Sequence, residues 1–146
     1  MNMAMSQTRS RAGLAEDLRI SIARLSRRLR AQGASGLSIG QHAALAAVDR
    51  HHAMSPRELA DHEKVQPPSM TRVIAALEEQ ELLLRTPHPT DGRQVVLKVT
   101  DKGRDLLREQ RRRKQAWLSQ RLGELTPEEQ ATLRQAAPIL EKLSRA

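Results

Sequence analysis

Residues 55–100 read SPRELADHEKVQPPSMTRVIAALEEQELLLRTPHPTDGRQVVLKVT, two helix starts followed by a change of period. Ser55 is a helix cap, with Pro56 at the first helical position and Glu58 at the third, while Met54 and Leu59 occupy the positions of a hydrophobic staple. Leu59 and Ala60 are the inner residues of this short helix. Asp61 to Val65 make a tight connection to a second helix opening at Pro67 and Pro68, where proline is tolerated because first-turn residues need no amide donor. Met70, Val73, Ile74 and Leu77 then share one face, leaving Pro68, Arg72, Ala75, Ala76 and Glu79 on the other. Two short helices joined this way predict a helix-turn-helix. After Gln80 the period becomes two: Leu82 and Leu84 alternate with Leu83 and Arg85, and Val95, Leu97 and Val99 alternate with Val96 and Lys98. Pro87 and Pro89 cannot donate to a ladder, so Pro87 to Arg93 should project as a loop, with Asp91 and Gly92 supplying the turn. A hairpin placed after a helix-turn-helix is a wing.

Working outward, Ser38 and Gln41 form a capping box for a helix through Arg50 with Leu45 and Val48 inside. Further upstream, Leu14, Leu18, Ile22, Leu25 and Leu29 form one stripe of a long amphipathic helix ended by Gly33 and Gly36. Downstream, Thr100 caps a helix running to about Leu122. Its middle, Arg108 to Gln115, has no large apolar residue and reads as solvated. Thr126, Pro127 and Glu129 open a last helix carrying Leu133, Leu140 and Leu143, which Pro138 should kink or end. The expected fold is therefore mainly α with a small β-hairpin wing. Residues 1–11 form a disordered basic lead, 12–36 a dimerisation helix, 37–100 a winged helix-turn-helix domain and 101–146 C-terminal dimerisation helices. The flanking apolar stripes exceed what so small a domain covers, and a second copy is the economical way to bury them.

Composition narrows the function classes. The 146 residues carry 25 basic and 17 acidic side chains, a formal charge of +8, which favours a polyanionic partner. Trp117 is the sole aromatic among Phe, Trp and Tyr, so stacking platforms for single strands are excluded. Without cysteine, disulfides, thiolate zinc sites and thiol chemistry are excluded too. No apolar run is long enough for a membrane span, and Met1 to Arg11 lack the apolar centre of a signal peptide, so a cytoplasmic location is expected. Within Ser55 to Thr100 six basic residues face seven acidic ones. The positive excess therefore lies on the flanking helices, including Arg111, Arg112, Arg113 and Lys114.

The second helix of the pair has the outward chemistry of a major-groove reader. Gln66 suits adenine, Arg72 guanine or phosphate, and Ser69 and Thr71 phosphate oxygens, with Pro68 beside them on the same face. A capped surface helix with an incidental arginine would share this composition. At the loop, Arg93 beside Gly92 is placed to enter a minor groove and Asp91 to orient it, though an ordinary Asp-Gly turn reads alike. Arg85, at the hairpin base, could hold a phosphate or pair with a neighbouring acid. His42, His51, His52, His62 and His88 show no paired spacing on one helix, so no metal site is expected. Neither a nucleophile motif nor a phosphate loop is present, and no catalytic residue is assigned.

From Leu37 to Gly103 the chain resembles the multiple antibiotic resistance regulator (MarR) family of bacterial transcription factors. The resemblance rests on Leu37-Ser38-Ile39-Gly40-Gln41, Glu58-Leu59-Ala60, Pro68-Ser69-Met70-Thr71-Arg72, Leu77-Glu78-Glu79, Leu84-Arg85, Asp91-Gly92-Arg93 and Thr100-Asp101-Lys102-Gly103, in that order. It implies a homodimer joined by helices from both chain ends and a palindromic double-stranded operator. It also implies repression of a nearby gene, and release by a small aromatic or amphipathic anion bound between the dimerisation helices and the reading domain. No other cofactor is implied. Arg72 and its neighbours would read the operator, with Asp91 and Arg93 at the wing tip. Two departures stand out. Similar proteins usually carry glycine where this chain has Glu81, a position suited to a left-handed helix end, so the junction between reading helix and wing is expected to differ. The absence of cysteine removes the peroxide-sensing mechanism of one branch. A sequence-neutral architectural DNA binder and a winged-helix protein-interaction module are the rival readings.

Overall fold

The computed structural model describes residues 2–146, with side chains from Ser10 onward, so Met1 lies outside the described residues. The element order is α1 (Asn2–Gln32), α2 (Ile39–His51), α3 (Pro56–Glu63), α4 (Pro67–Glu79), β1 (Leu83–Pro87), β2 (Val95–Val99), α5 (Asp101–Gly123) and α6 (Pro127–Ser144). The chain divides into two compact units, Ala34–Arg111 and a second that joins residues up to Gly33 with Arg112–Ala146.

In the unit Ala34–Arg111 the caps appear where the sequence places them. Ser38 accepts the Gln41 amide at 3.1 Å, while the Gln41 side chain accepts the Ser38 amide at 3.2 Å. Ser55 accepts the Glu58 amide at 3.0 Å. Leu45, Val48, Leu59, Ile74, Leu77, Leu82 and Leu97 form the centre of one core, with Met54, Met70 and Leu107 also buried. The unit reaches Arg111, past the boundary drawn at Thr100, because the first turns of α5 dock on it. Gly103 and Leu107 are buried and Leu106 packs against the core. Gln110, inside the stretch expected to be solvated, is also buried, at 4% exposure, and its Oε1 has no hydrogen-bond partner among the described residues.

The hairpin is antiparallel, with Leu83 opposite Val99, Arg85 opposite Leu97 and Pro87 opposite Val95. Pro87 ends β1 instead of opening the loop. It is tolerated there because the two-stranded sheet leaves that edge unpaired. The alternation differs from expectation as well: Leu82 and Leu83 are both buried and Leu84 is exposed, while Val96 joins Leu97 and Val99 inside. Leu82 belongs to the turn after α4, not to β1, so it follows the helix end and not the pleat. Met54 adds a short bridge to the hairpin, its amide donating to Leu97 at 3.3 Å and its carbonyl accepting from Leu97 at 2.7 Å. That bridge fixes the start of α3 to β2.

The junction between α4 and β1 is a left-handed helix end. Glu81 has φ 61°, and the Glu81 and Leu82 amides donate back to Glu78 and Leu77 at 2.9 Å each. The expected difference at this junction is not found: Glu81 adopts the left-handed conformation for which glycine is usual.

In the other unit α1 is continuous from Asn2, so backbone expected to form an irregular lead is helical. Pro138 lies inside α6 and does not end it. Thr126 and Glu129 form the expected capping box, and Gln130 Nε2 donates to the Leu122 carbonyl at 2.8 Å, tying the start of α6 to the end of α5. Trp117 is flanked by the guanidinium carbons of Arg28 and Arg121, each 5.5 Å from the ring centre. No residue of α6 is buried.

Candidate nucleic-acid interface

The outward face of α4 is built from its first turn. Lys64, φ 54°, caps α3, and the Val65 amide turns back to the Ala60 carbonyl at 3.0 Å, which redirects the chain into α4 within a few residues. Met70, Ile74 and Leu77 anchor the inner face, and Gln66, Pro68, Ser69, Thr71 and Arg72 are exposed. The Gln66 side chain makes no capping bond, so its amide is available to a partner. Thr71 differs from the phosphate-donor role expected of it: its hydroxyl donates to the Pro67 carbonyl at 2.9 Å and has no hydrogen left for an outside acceptor.

At the wing tip the loop is closed by the His88 amide donating to the Gln94 carbonyl at 3.0 Å and the Gln94 amide to the Asp91 carbonyl at 3.1 Å. Asp91 Oδ1 accepts the Arg93 amide at 3.1 Å, so the expected link between the two is a carboxylate-to-backbone bond. Gly92 has no positive φ, because Gly36 is the only glycine with one among the described residues. The turn is instead held by an imidazole. His88 Nδ1 accepts the amides of Thr90 at 3.2 Å and Asp91 at 3.1 Å. Nδ1 therefore carries no hydrogen in this arrangement.

Arg85 points the other way from a free phosphate ligand: its Nε lies 3.0 Å from Oε1 of Glu78, joining β1 to the last turns of α4. Among the described residues the Arg72 and Arg93 side chains have no hydrogen-bond or ion-pair partner, and both are exposed. Arg57, not singled out from the sequence, joins this face of the molecule. It lines a cleft of about 380 Å³ with Pro56, Pro67, Met70, Thr71 and Ile74, between α3 and the start of α4. Its position just after the Ser55 cap was visible in the sequence, but its place beside α4 depends on the turn between the helices.

A profile described as the MarR family matches residues 37–95. An HTH-type transcriptional regulator of Mycobacterium bovis is 45% identical over 132 residues, 90% of this chain and 92% of that protein. The HTH-type transcriptional repressor MdtR of Bacillus subtilis is 32% identical over 111 residues, 76% of this chain and 70% of that protein. A crystal structure of a transcriptional regulator protein from Pseudomonas aeruginosa superposes with a TM-score of 0.86 at 28% identity, covering 94% of this chain and 97% of that one. The helix-turn-helix, the wing and these likenesses agree, and the chain belongs to the MarR family of HTH-type transcriptional regulators.

Proposed function

We propose that this regulator binds a palindromic double-stranded operator as a homodimer and represses transcription until a small aromatic or amphipathic anion releases it. The observation that carries the DNA reading is the pair of exposed guanidiniums on one compact unit, unpaired among the described residues: Arg72 on the outer face of α4 and Arg93 at the wing tip. A helix start fits the major groove and a loop arginine the minor groove. Support for the dimer comes from the other unit, where Ile22 and Leu25 of α1 and Leu133, Leu140 and Leu143 of α6 are each at least 39% exposed. Repression follows the name of the Bacillus relative. Release would follow from an effector that favours a spacing of the two reading helices unequal to that of the half-sites, and by no more than its differential affinity.

Footprinting across the gene's own upstream region tests this reading. A protected palindrome with half-sites about one helical turn apart is the expected result. Equal affinity for scrambled duplex in competition gel shifts would replace it with the architectural reading, and absence of binding at low salt with the protein-interaction reading.

A further inference from the structure

We propose that His51 and His62 form a two-histidine site for a divalent transition ion of the zinc class. His51 is the last residue of α2 and His62 lies in the final turn of α3, so the fold brings together two imidazoles that share no helix. Their Nε2 atoms are 3.4 Å apart, with the rings edge-to-face at 73° and centroids 5.0 Å apart. That separation is long for a nitrogen hydrogen bond, whose usual length is about 3.0 Å. It equals the roughly 3.3–3.4 Å that two zinc–nitrogen bonds of about 2.0–2.1 Å span at a tetrahedral angle.

A neighbouring carboxylate favours the required tautomer. Glu63 Oε1 lies 3.7 Å from His62 Nδ1, which favours the hydrogen on Nδ1 and leaves the Nε2 lone pair toward His51. Both rings are at the surface, open to an ion and its waters. Among the described residues no group of three or more histidine, cysteine or acidic side chains surrounds a metal position, so water completes the coordination. Such an ion clamps the end of α2 to α3, on which α4 packs. The clamp exists only in the folded chain and therefore adds to its stability, increasingly as the free ion concentration exceeds the dissociation constant. None of this depends on DNA binding.

The test is titration of the untagged, full-length, EDTA-treated protein with Zn²⁺, followed by calorimetry and thermal melts. One binding event, a melting temperature raised by sub-millimolar Zn²⁺ and its reversal by EDTA are expected. His51→Gln and His62→Gln should each weaken binding about tenfold or more, and Glu63→Gln about tenfold through loss of orientation. His52→Gln, at the adjacent position, should bind as the unaltered protein does. Absence of binding by the unaltered protein, or equal binding by the His51 and His62 variants, overturns the proposal. If a glutamine variant melts lower without metal, imidazole NMR of the unaltered protein decides. Zn²⁺-dependent shifts at His51 and His62 support the site, and shifts confined to other histidines overturn it.

Discussion

The hydroxyl of Thr100 donates to the backbone carbonyl of Glu81 at 2.6 Å, so the cap of α5 holds the left-handed residue at the end of α4. The same oxygen accepts the Gly103 amide at 3.0 Å, and the Thr100 amide donates to the Leu82 carbonyl at 3.1 Å. Thr100, by side chain and backbone together, thus joins the end of α4, the approach to β1 and the first turn of α5.

Glu81 holds a positive φ at a cost of about 1 kcal/mol relative to glycine. Glu81→Gly should raise stability by about 0.5–1 kcal/mol, the gain being reduced by the greater freedom of glycine in the unfolded chain. A urea unfolding curve with a higher midpoint and unchanged slope is the expected result; a lower midpoint would mean that the glutamate makes a stabilising contact.

Gly103 has the opposite sign. A Cβ there would lie 2.5 Å from the Leu82 carbonyl oxygen and 2.7 Å from Val99 Cγ1. The first of these neighbours is backbone, so Gly103→Ala should destabilise by about 1–3 kcal/mol despite the better helix propensity of alanine. Thermal melts of the two proteins check it.

Arg72→Ala should weaken operator binding about tenfold or more with an unchanged melting temperature, since the side chain has no partner to lose among the described residues. Gel shifts against a set of single-base operator variants assign its role. A loss concentrated at one base pair identifies an edge contact, and a uniform loss with a salt slope smaller by about one identifies phosphate.

At the wing, Arg93→Ala should weaken binding without altering the melt. His88→Ala should weaken it by a different route, because two backbone amides lose their common acceptor and the tip loosens. Hydrogen exchange separates the two: the amides of Thr90 and Asp91 should exchange faster in the His88 variant and at the ordinary rate in the Arg93 variant.

Leu25 and Leu140 line a groove of about 380 Å³ with Leu118, Leu122 and Leu133 in the unit that contains both chain ends. At 45% and 39% exposure they have apolar surface to bury against a second copy. Leu25→Asp combined with Leu140→Asp should give a monomer in size-exclusion chromatography with light scattering, and lose operator affinity with it. A dimer of unchanged mass would place the interface elsewhere.

Local chemistry alone determined the ordered skeleton of this protein. Ser38, Ser55 and Thr126 announce helix starts because a side-chain oxygen must satisfy free amides within three residues, and the paired apolar faces of α2 and α4 follow from a 3.6-residue period. The left-handed position at Glu81 was not legible in this way, because glutamate carries no local signal for a positive φ and the surrounding turn imposes it. Tertiary structure decided whatever depends on residues distant in the chain. It buried Leu83 and Val96 against the simple alternation, engaged Arg85 with Glu78, turned the Thr71 hydroxyl back to Pro67 and put Arg57 beside α4. It also faced His51 toward His62, although their spacing along the chain suggests no pair. A periodic pattern records which side of an element is apolar, but the partner of a long polar side chain is chosen by whichever group the fold carries within reach.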